Sequence, residues 1–347
     1  MKITGLGRAA VGIALTVAML AGCGQAQTGG PGMMPQGAAP AGHPTHGKSW
    51  MLPEAKAEDL LYVAEDSGVA IFSYPGIVPV GRISLPDDYT GHTCSDNDGD
   101  VFVPFFNFNT STKGIYEYAH AGTSPINTLD DAGYSPEGCS VDAVTGNLAV
   151  TNSYDMSGYL FGNLAIYQNA QGDPVIYSDP AMRFYSEPAY DNQGNLFITG
   201  FGNPPSVLFT LAELPRGVNT FTNLSIDQSY FEYKPGFMQW DGKYLAIGTG
   251  KNDQDYAPDL IRQVEVSGSE AQVVGTIGFK TWKTEDQEFW LQKGALISAE
   301  GGRNGHIKRL AIWSYPKGGR PIKWVSCHTA CWSPTVSVAP AGSHIRR

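Results

Sequence analysis

Charged residues are scarce in this chain, and basic residues are the scarcer kind. Asp, Glu, Lys and Arg make up 16% of the 347 residues, and 23 Lys and Arg stand against 33 Asp and Glu, which gives a net charge of −10. The dense basic run is short and terminal, at residues 344–347. Since nucleic-acid binding requires clustered Lys and Arg to neutralise phosphates, we expect no nucleic-acid partner.

Long apolar runs and several catalytic motifs are also missing. The apolar stretch at residues 9–21 is too short to span a bilayer comfortably. There is no Gly-x-Ser-x-Gly elbow, which would mark a nucleophilic serine, and no glycine-rich phosphate loop between a strand and a helix. No segment has a convincing helical period. The sequence therefore gives no support to the common serine-hydrolase and nucleotide-binding folds.

The first residues have the pattern of a bacterial export signal. Lys2 and Arg8 precede the apolar stretch, which ends in Leu-Ala-Gly-Cys at Cys23. This resembles a lipobox, in which cleavage leaves a diacylated cysteine at the new N-terminus. We therefore expect a signal peptide over 1–22 and a membrane contact through lipid on Cys23. Gly24 stands where an inner-membrane retention signal would have Asp, so the pattern favours the outer membrane or cell surface of a bacterial envelope.

The remaining chain divides into three parts. Residues 23–52 contain the modified cysteine and a segment rich in Gly, Pro, Ala and Gln without apolar periodicity, which is typical of a flexible linker. Residues 53–341 contain regular short apolar segments and are expected to form the folded domain. Residues 342–347 are a short tail.

A repeat runs through the folded domain. Six times a Tyr or Trp is followed at once by Ser, Thr or Lys and then by a short apolar strand, with spacings of 45, 51, 48, 49 and 50 residues. The repeated aromatic residues are Tyr89, Tyr134, Tyr185, Tyr233, Trp282 and Trp332. Each repeat continues with an Asp/Asn/Gly turn and further strands, so the period predicts an all-β, six-bladed β-propeller.

The two ends of the domain predict how the ring closes. The first repeat begins with a second strand at residues 60–63 and has no first strand before it. A surplus strand at residues 333–338 repeats the first-strand pattern of residues 135–141. We expect the C-terminal strand to complete blade 1, which removes exposed sheet edges and joins the termini.

Four cysteines remain after Cys23, and an even number in an exported chain indicates disulfides. Cys327 and Cys331 are four residues apart, and a local bridge is favoured over a metal site because no second pair has ligand spacing. Cys94 and Cys139 lie in the first strands of consecutive repeats. They could bridge two blades, but the sequence leaves this pairing open.

Three segments resemble the six-bladed NHL-repeat and TolB-like propellers, especially bacterial lipoproteins of that shape. They are residues 134–142, residues 146–152 and residues 191–197. The resemblance covers roughly residues 55–340 and implies the fold more strongly than an activity. Gluconolactonase-like relatives hold a metal on the propeller axis with a Glu, two Asn and an Asp. Glu137 lies at a plausible blade start for such a set, but partners for it cannot be matched.

The best candidate site residues follow the repeated aromatics. In four repeats the residue three positions after the aromatic is polar: His92, Glu137, Glu285 and Thr335. In a fifth repeat a carboxylate, Glu187, stands one position earlier. Because first strands line a propeller axis, these residues are expected near one mouth of the channel. They could hold a divalent cation or a cationic ligand. The alternative is a ring of hydrated polar residues without a ligand.

Aromatic residues in the loops between second and third strands are expected to surround the same mouth. The candidates are Phe105, Phe106 and Tyr159, and packing inside the blades is the competing interpretation for them. Exposed aromatics there would suit a carbohydrate, a peptide or an envelope protein.

The sequence thus favours a lipid-anchored binding or scaffold module. A metal-dependent hydrolase or lyase of the gluconolactonase type is the alternative, and no cofactor is firmly implied.

Overall fold

The computed structural model describes most of the folded domain. The described residues are 48–85, 88–131, 134–155, 161–202, 209–231, 236–249, 260–280, 288–300, 308–327 and 329–340, and all lie in one compact unit. Within them the regular secondary structure is almost all β, with three short 3₁₀ helices at Pro53–Ala57, Gln168–Ala170 and Gln228–Tyr230. Cys23, Glu285 and Tyr159 lie outside these ranges. No helix in the described ranges is long and apolar enough to span a membrane.

The strands of the described residues form six antiparallel sheets, each one blade. Blade 1 contains β1 (Trp50–Met51), β2 (Leu60–Glu65), β3 (Gly68–Ser73) and β4 (Pro79–Ser84). Blade 2 contains β5 (Asp88–Thr90), β6 (Cys94–Ser95), β7 (Val101–Asn107), β8 (Lys113–Tyr118) and β9 (Asn127–Asp130). Blade 3 contains β10 (Tyr134–Val141), β11 (Leu148–Asp155), β12 (Phe161–Tyr167) and β13 (Val175–Tyr177).

The remaining blades repeat the four-stranded pattern. Blade 4 contains β14 (Met182–Tyr190), β15 (Leu196–Gly202), β16 (Phe209–Leu214) and β17 (Thr222–Leu224). Blade 5 contains β18 (Met238–Trp240), β19 (Leu245–Thr249), β20 (Leu260–Ser267) and β21 (Glu270–Gly278). Blade 6 contains β22 (Trp290–Gln292), β23 (Ala295–Glu300), β24 (Arg309–Ser314) and β25 (Lys323–Ser326), and β26 (Cys331–Ser337) follows it. The all-β, six-bladed propeller predicted from the repeat is confirmed.

The C-terminal strand completes blade 1, as predicted. β26 pairs antiparallel with β2, with Leu61 opposite Val336 and Tyr62 opposite Thr335. Blade 1 also has an edge strand that the sequence did not indicate, since β1 pairs with β4. The two residues of β1 lie within the segment that the sequence assigned to the linker. The apolar Met51 packs beside Gly81, where an added Cβ would lie 2.8 Å from the Met51 sulfur. The strand pairing of blade 1 therefore includes two residues that precede the predicted domain start at residue 53.

The core lies between neighbouring blades. Second strands are buried on both faces; in β2 every residue is buried, which explains why these segments read as unbroken apolar runs. Leu164 of blade 3 packs in one cluster with Leu196 and Ile198 of blade 4. The repeated aromatic Trp332 also joins blades, since its Nε1 donates a hydrogen bond to the Thr90 carbonyl, 3.2 Å away.

An aspartate closes the turn between the first and second strands in four blades. Its Oδ1 accepts a hydrogen bond from the backbone N–H two residues later, and the four donors are Asp98, Val144, Gln193 and Lys243. This Asx turn is a local reason for the recurring Asp/Asn/Gly segments. At Asp96 the same oxygen also accepts from Asp100 N at 2.8 Å, so the carboxylate stabilises the turn itself.

Two disulfides stabilise the propeller. Cys94 and Cys139 join blades 2 and 3, with their Cα atoms 5.7 Å apart. Each follows its repeated aromatic by five residues, so they occupy equivalent positions on adjacent first strands. Cys327 and Cys331 form the local bridge at the start of β26. The pairing that the sequence left open is therefore the inter-blade one.

Candidate functional site: the acidic end of the axis

Ionisable side chains from four blades lie at the beginnings of the first strands. His92 is two residues before β6 and Glu288 is two residues before β22, while Glu137 and Glu187 lie inside β10 and β14. His92, Glu187 and Glu288 are at most 8% exposed, and Glu137 is partly buried. We call these four residues the axial cluster. It brings together residues that are distant in the chain, because first strands of all blades face the same axis.

The centre of the axial cluster is an imidazole between two carboxylates. His92 Nδ1 contacts Glu187 Oε1, and His92 Nε2 lies 3.1 Å from Glu288 Oε1. The two carboxylates come from blades 4 and 6, so one side chain of blade 2 connects three alternate blades. Phe237 of blade 5 packs against the imidazole, with ring centroids 5.0 Å apart. Both ring nitrogens are thereby occupied by acidic partners.

Backbone groups hold the three side chains in place. The His92 N–H donates to the Glu137 carbonyl at 2.6 Å, which fixes blade 2 against blade 3. The Ser333 N–H donates to Glu288 Oε2, which ties blade 6 to blade 1. Gly138 lies over Glu187, because a Cβ on it would come within 2.6 Å of Glu187 Oε2. The cluster is therefore built by packing around all sides of the axis.

Electrostatics keep a proton within the axial cluster. Burial lowers the pKa of His92, but the adjacent Glu187 and Glu288 carboxylates outweigh burial and raise that pKa well above its usual 6.5. Burial raises the pKa of Glu187, and the charge of His92 opposes this shift only in part. The arrangement therefore favours an imidazolium cation held between carboxylates at neutral pH. With Glu137 included, three Glu side chains accompany one His within the axial cluster.

A second set of contacts at the axis is made by hydroxyl groups. Thr93 Oγ1 and Thr335 Oγ1 are 2.7 Å apart, and Thr335 Oγ1 also donates to the Thr93 carbonyl at 2.7 Å. Ser333 Oγ accepts a hydrogen bond from the Thr93 N–H at 2.7 Å. Thr335, which the sequence placed at the mouth, is fully buried here. Its visible role is to join the closing strand to blade 2.

The structure brings some of the predicted site residues together and leaves others apart. His92, Glu137 and Glu187 are adjacent, whereas Glu285 lies outside the described residues. Counting from the aromatic missed Glu288, because the segment between Trp282 and the strand is longer than in other repeats. Counting back two residues from the first strand would have found both His92 and Glu288. Among the described residues, no three His, Cys, Asp or Glu side chains are arranged to hold a metal ion.

The described loop aromatics are largely packed inside blade 2. Phe105 and Phe106 are 5% and 3% exposed, and Phe105 stacks on Tyr116 with centroids 3.9 Å apart. Phe108, which follows in the same loop, is 72% exposed and contacts Phe106 edge-on. Phe108 is therefore the ring of this loop that a ligand can reach. Tyr159, the third predicted aromatic, lies outside the described residues.

Comparison with known proteins supports the fold and goes no further. No family model matches the chain, and no curated protein is significantly similar to it in sequence. Among solved structures, it is similar to a chain in the crystal structure of a nidogen/laminin complex. The TM-score is 0.60 and the identity 12%, and the match covers 81% of this chain and 99% of that chain. At this identity the similarity shows a shared propeller fold alone.

Proposed function

We propose that this protein is a lipid-anchored, extracytoplasmic propeller of the NHL-repeat or TolB-like kind that serves as a binding or scaffold module in a bacterial envelope. Two disulfides support an oxidising compartment, where such bonds form and persist. The leader ending at Cys23 supports lipid attachment, on the outer membrane or cell surface. The propeller supports binding, because this fold presents several loops and strand starts around one axis.

The observation that carries the proposal is the axial cluster. Burying ionisable groups costs free energy, and well-packed apolar residues in place of a buried ion pair are often as stable or more so. A hydrophobic axis would therefore close a propeller at least as well. Within the axial cluster three Glu side chains accompany one His, and Glu137 is partly exposed beside the other two Glu. We infer that the mouth attracts a positively charged group: a divalent cation, or the Lys or Arg of a peptide or envelope protein.

Thermal melting tests the charge preference of this mouth. The full chain is melted with calcium chloride, with a lysine-rich peptide and with a chelator. A cation bound beside Glu137 stabilises the folded state, so the melting temperature should rise with ligand concentration. Glu137→Gln should abolish the rise, and Glu270→Gln, on the exposed start of β21, should keep it. Melting curves that neither probe moves would remove the cationic ligand from the proposal.

The two probes also separate the two function classes. A response to calcium alone would favour the metal-dependent hydrolase or lyase, and a response to the peptide alone would favour the binding module. No observation of the described residues favours the enzyme at present, and it stays a prediction.

The anchor is tested independently of the ligand. Intact-mass measurement on membrane-extracted protein should show a chain beginning at Cys23 with added acyl groups. Cys23→Ser should leave the precursor unprocessed or release the protein from the membrane fraction. A mature protein cleaved at another position and free of lipid would contradict the anchor while leaving the propeller and its mouth unaffected.

A further inference from the structure

A cavity lies beside Phe237, between the first strands of five blades. This cavity has a volume of about 210 Å³ and is lined by the first strands of blades 2 to 6. Phe237 lines the cavity and also packs on His92, so the Phe237 side chain lies between the cavity and the axial cluster. Ala143 and Asn192 in its wall are exposed, so the cavity opens to solvent at these residues. We call it the axial cavity.

Most polar side chains in the wall of the axial cavity are already used by the fold. Ser95 Oγ donates to the Val336 carbonyl at 2.8 Å. Gln239 accepts from Leu291 N–H at 2.6 Å and donates to the Leu291 carbonyl at 3.3 Å. The Asp191 carboxylate is occupied by its own turn, since Oδ1 accepts from Asn195 N at 2.9 Å and Oδ2 from the Asn195 side chain at 2.8 Å. None of the described residues that line the cavity is Lys or Arg.

Two indole N–H groups in the wall are buried and make no such hydrogen bond within the part of the chain that the structure describes. Trp240 and Trp290 both line the axial cavity, and the Nε1 atom of each is buried with no hydrogen-bond partner among the described residues. A buried Trp N–H usually has a partner, and leaving such a donor unpaired costs stability. The wall therefore contains two donors for which the described residues supply no acceptor. Since neither Nε1 atom faces solvent, a small rotation of each indole toward the cavity would let a ligand with acceptor oxygens satisfy them.

We propose that the axial cavity binds a single sugar ring, free or at the end of a glycan. A volume of about 210 Å³ is smaller than the roughly 300–1,000 Å³ of sites for drug-sized ligands, so one ring is the appropriate size. A sugar has C–H faces that pack on indole rings and oxygens that accept from their N–H groups. An anion would meet Asp191 and no cation in this wall, and a hydrocarbon would leave both indoles unpaired. This site is separate from the acidic end, and neither proposal depends on the other.

Fluorine NMR on the full chain tests this proposal. The chain has seven Trp residues, so labelling with 5-fluorotryptophan gives one signal for each. Methyl glycosides of glucose, galactose, mannose and N-acetylglucosamine are the probes, titrated one at a time. At least one of them should shift two signals saturably, and these should be the signals missing from Trp240→Phe and Trp290→Phe. Each replacement keeps a six-membered aromatic face but removes the five-membered ring with its N–H, so it should weaken binding at least about fivefold, the effect of one neutral hydrogen bond.

Trp324→Phe is the matched control, because Trp324 is 58% exposed on the outer strand β25. It should bind the same glycoside with unchanged affinity. Circular dichroism of each variant establishes that the propeller has folded before its affinity is compared. The proposal is overturned if no glycoside shifts the Trp240 and Trp290 signals, or if all seven signals move together. It is also overturned if both variants bind as tightly as the unmodified chain.

Discussion

Replacing His92 with Gln measures what the axial cluster contributes to the propeller. The imidazole contacts Glu187 and Glu288 from two other blades, and all three side chains are buried. Gln is similar in reach but neutral, so two buried carboxylates would face each other without a cation. Removing one partner of a buried ion pair costs about 3–5 kcal/mol. At about 2–4 °C per kcal/mol for a domain of this class, the melting temperature should fall by roughly 6–20 °C.

The same substitution should change how stability depends on pH. The pKa of His92 is raised in the folded state, so its stabilisation is complete below its usual 6.5 and is lost as pH rises through the raised value. The pKa of Glu187 is also raised, so the folded state binds protons more strongly at both groups. The free energy of unfolding should therefore fall as the pH rises above 6.5 through the raised pKa of His92. His92→Gln should remove the His92 part of this alkaline decrease.

Denaturant titrations at about pH 6 and about pH 9 provide the measurement. His120→Gln is the control, since His120 is a partly buried His whose Nδ1 is 2.7 Å from Ser337 Oγ. Burial lowers the pKa of His120, so its titration affects stability on the acid side instead. Loss of its hydrogen bond should cost about 1 kcal/mol. The reasoning is refuted if His92→Gln is no more destabilising than His120→Gln, or if it leaves the alkaline decrease unchanged.

Two further predictions concern closure and the disulfides. Deleting the chain after Trp332 removes most of β26 and exposes β2, so we expect an insoluble or unfolded product; a soluble product with an unchanged melting curve would contradict the topology. Replacing Cys94 and Cys139 by Ser removes a bridge between residues 45 apart in sequence. The loop entropy regained by the unfolded chain should lower the free energy of unfolding by about 4 kcal/mol. Replacing Cys327 and Cys331, separated by 4, should cost about 2 kcal/mol. Urea titrations of the two double variants compare these values, and an equal cost would show that loop entropy does not dominate.

The fold could be predicted because each blade repeats a local pattern. Aspartates such as Asp142 and Asp191 close turns within their own segment, and runs such as residues 196–198 are apolar because both faces of a second strand are covered. The first repeat lacks a first strand and residues 333–338 form a surplus one, and together they require the closure seen between β2 and β26. These features depend on residues close in sequence or on strand count, so they are readable without coordinates.

The axial cluster could be predicted only in part. The repeat frame pointed to His92 and Glu137, and Glu187 was noted one position out of frame, but the same frame led to Glu285 in place of Glu288. The segments before the first strands differ in length between blades. Residues at a fixed count from the aromatic therefore do not lie at the same height along the propeller axis. Phe105 and Phe106 show the same limit, because alternation along β7 does not tell which rings pack within the blade and which face a ligand.

The amino-acid sequence alone determined the number of blades, the closing strand and the local disulfide, since short-range turn chemistry and strand periodicity specify them. Tertiary structure decided that Cys94 pairs with Cys139 and that His92 lies between carboxylates of two other blades. It also decided that Trp240 and Trp290 share one cavity. His92 and Glu187 are 95 residues apart, and the partners of a side chain on the axis come from strands brought together by ring closure. Such contacts depend on the height and rotation of each blade, which packing of the whole ring sets.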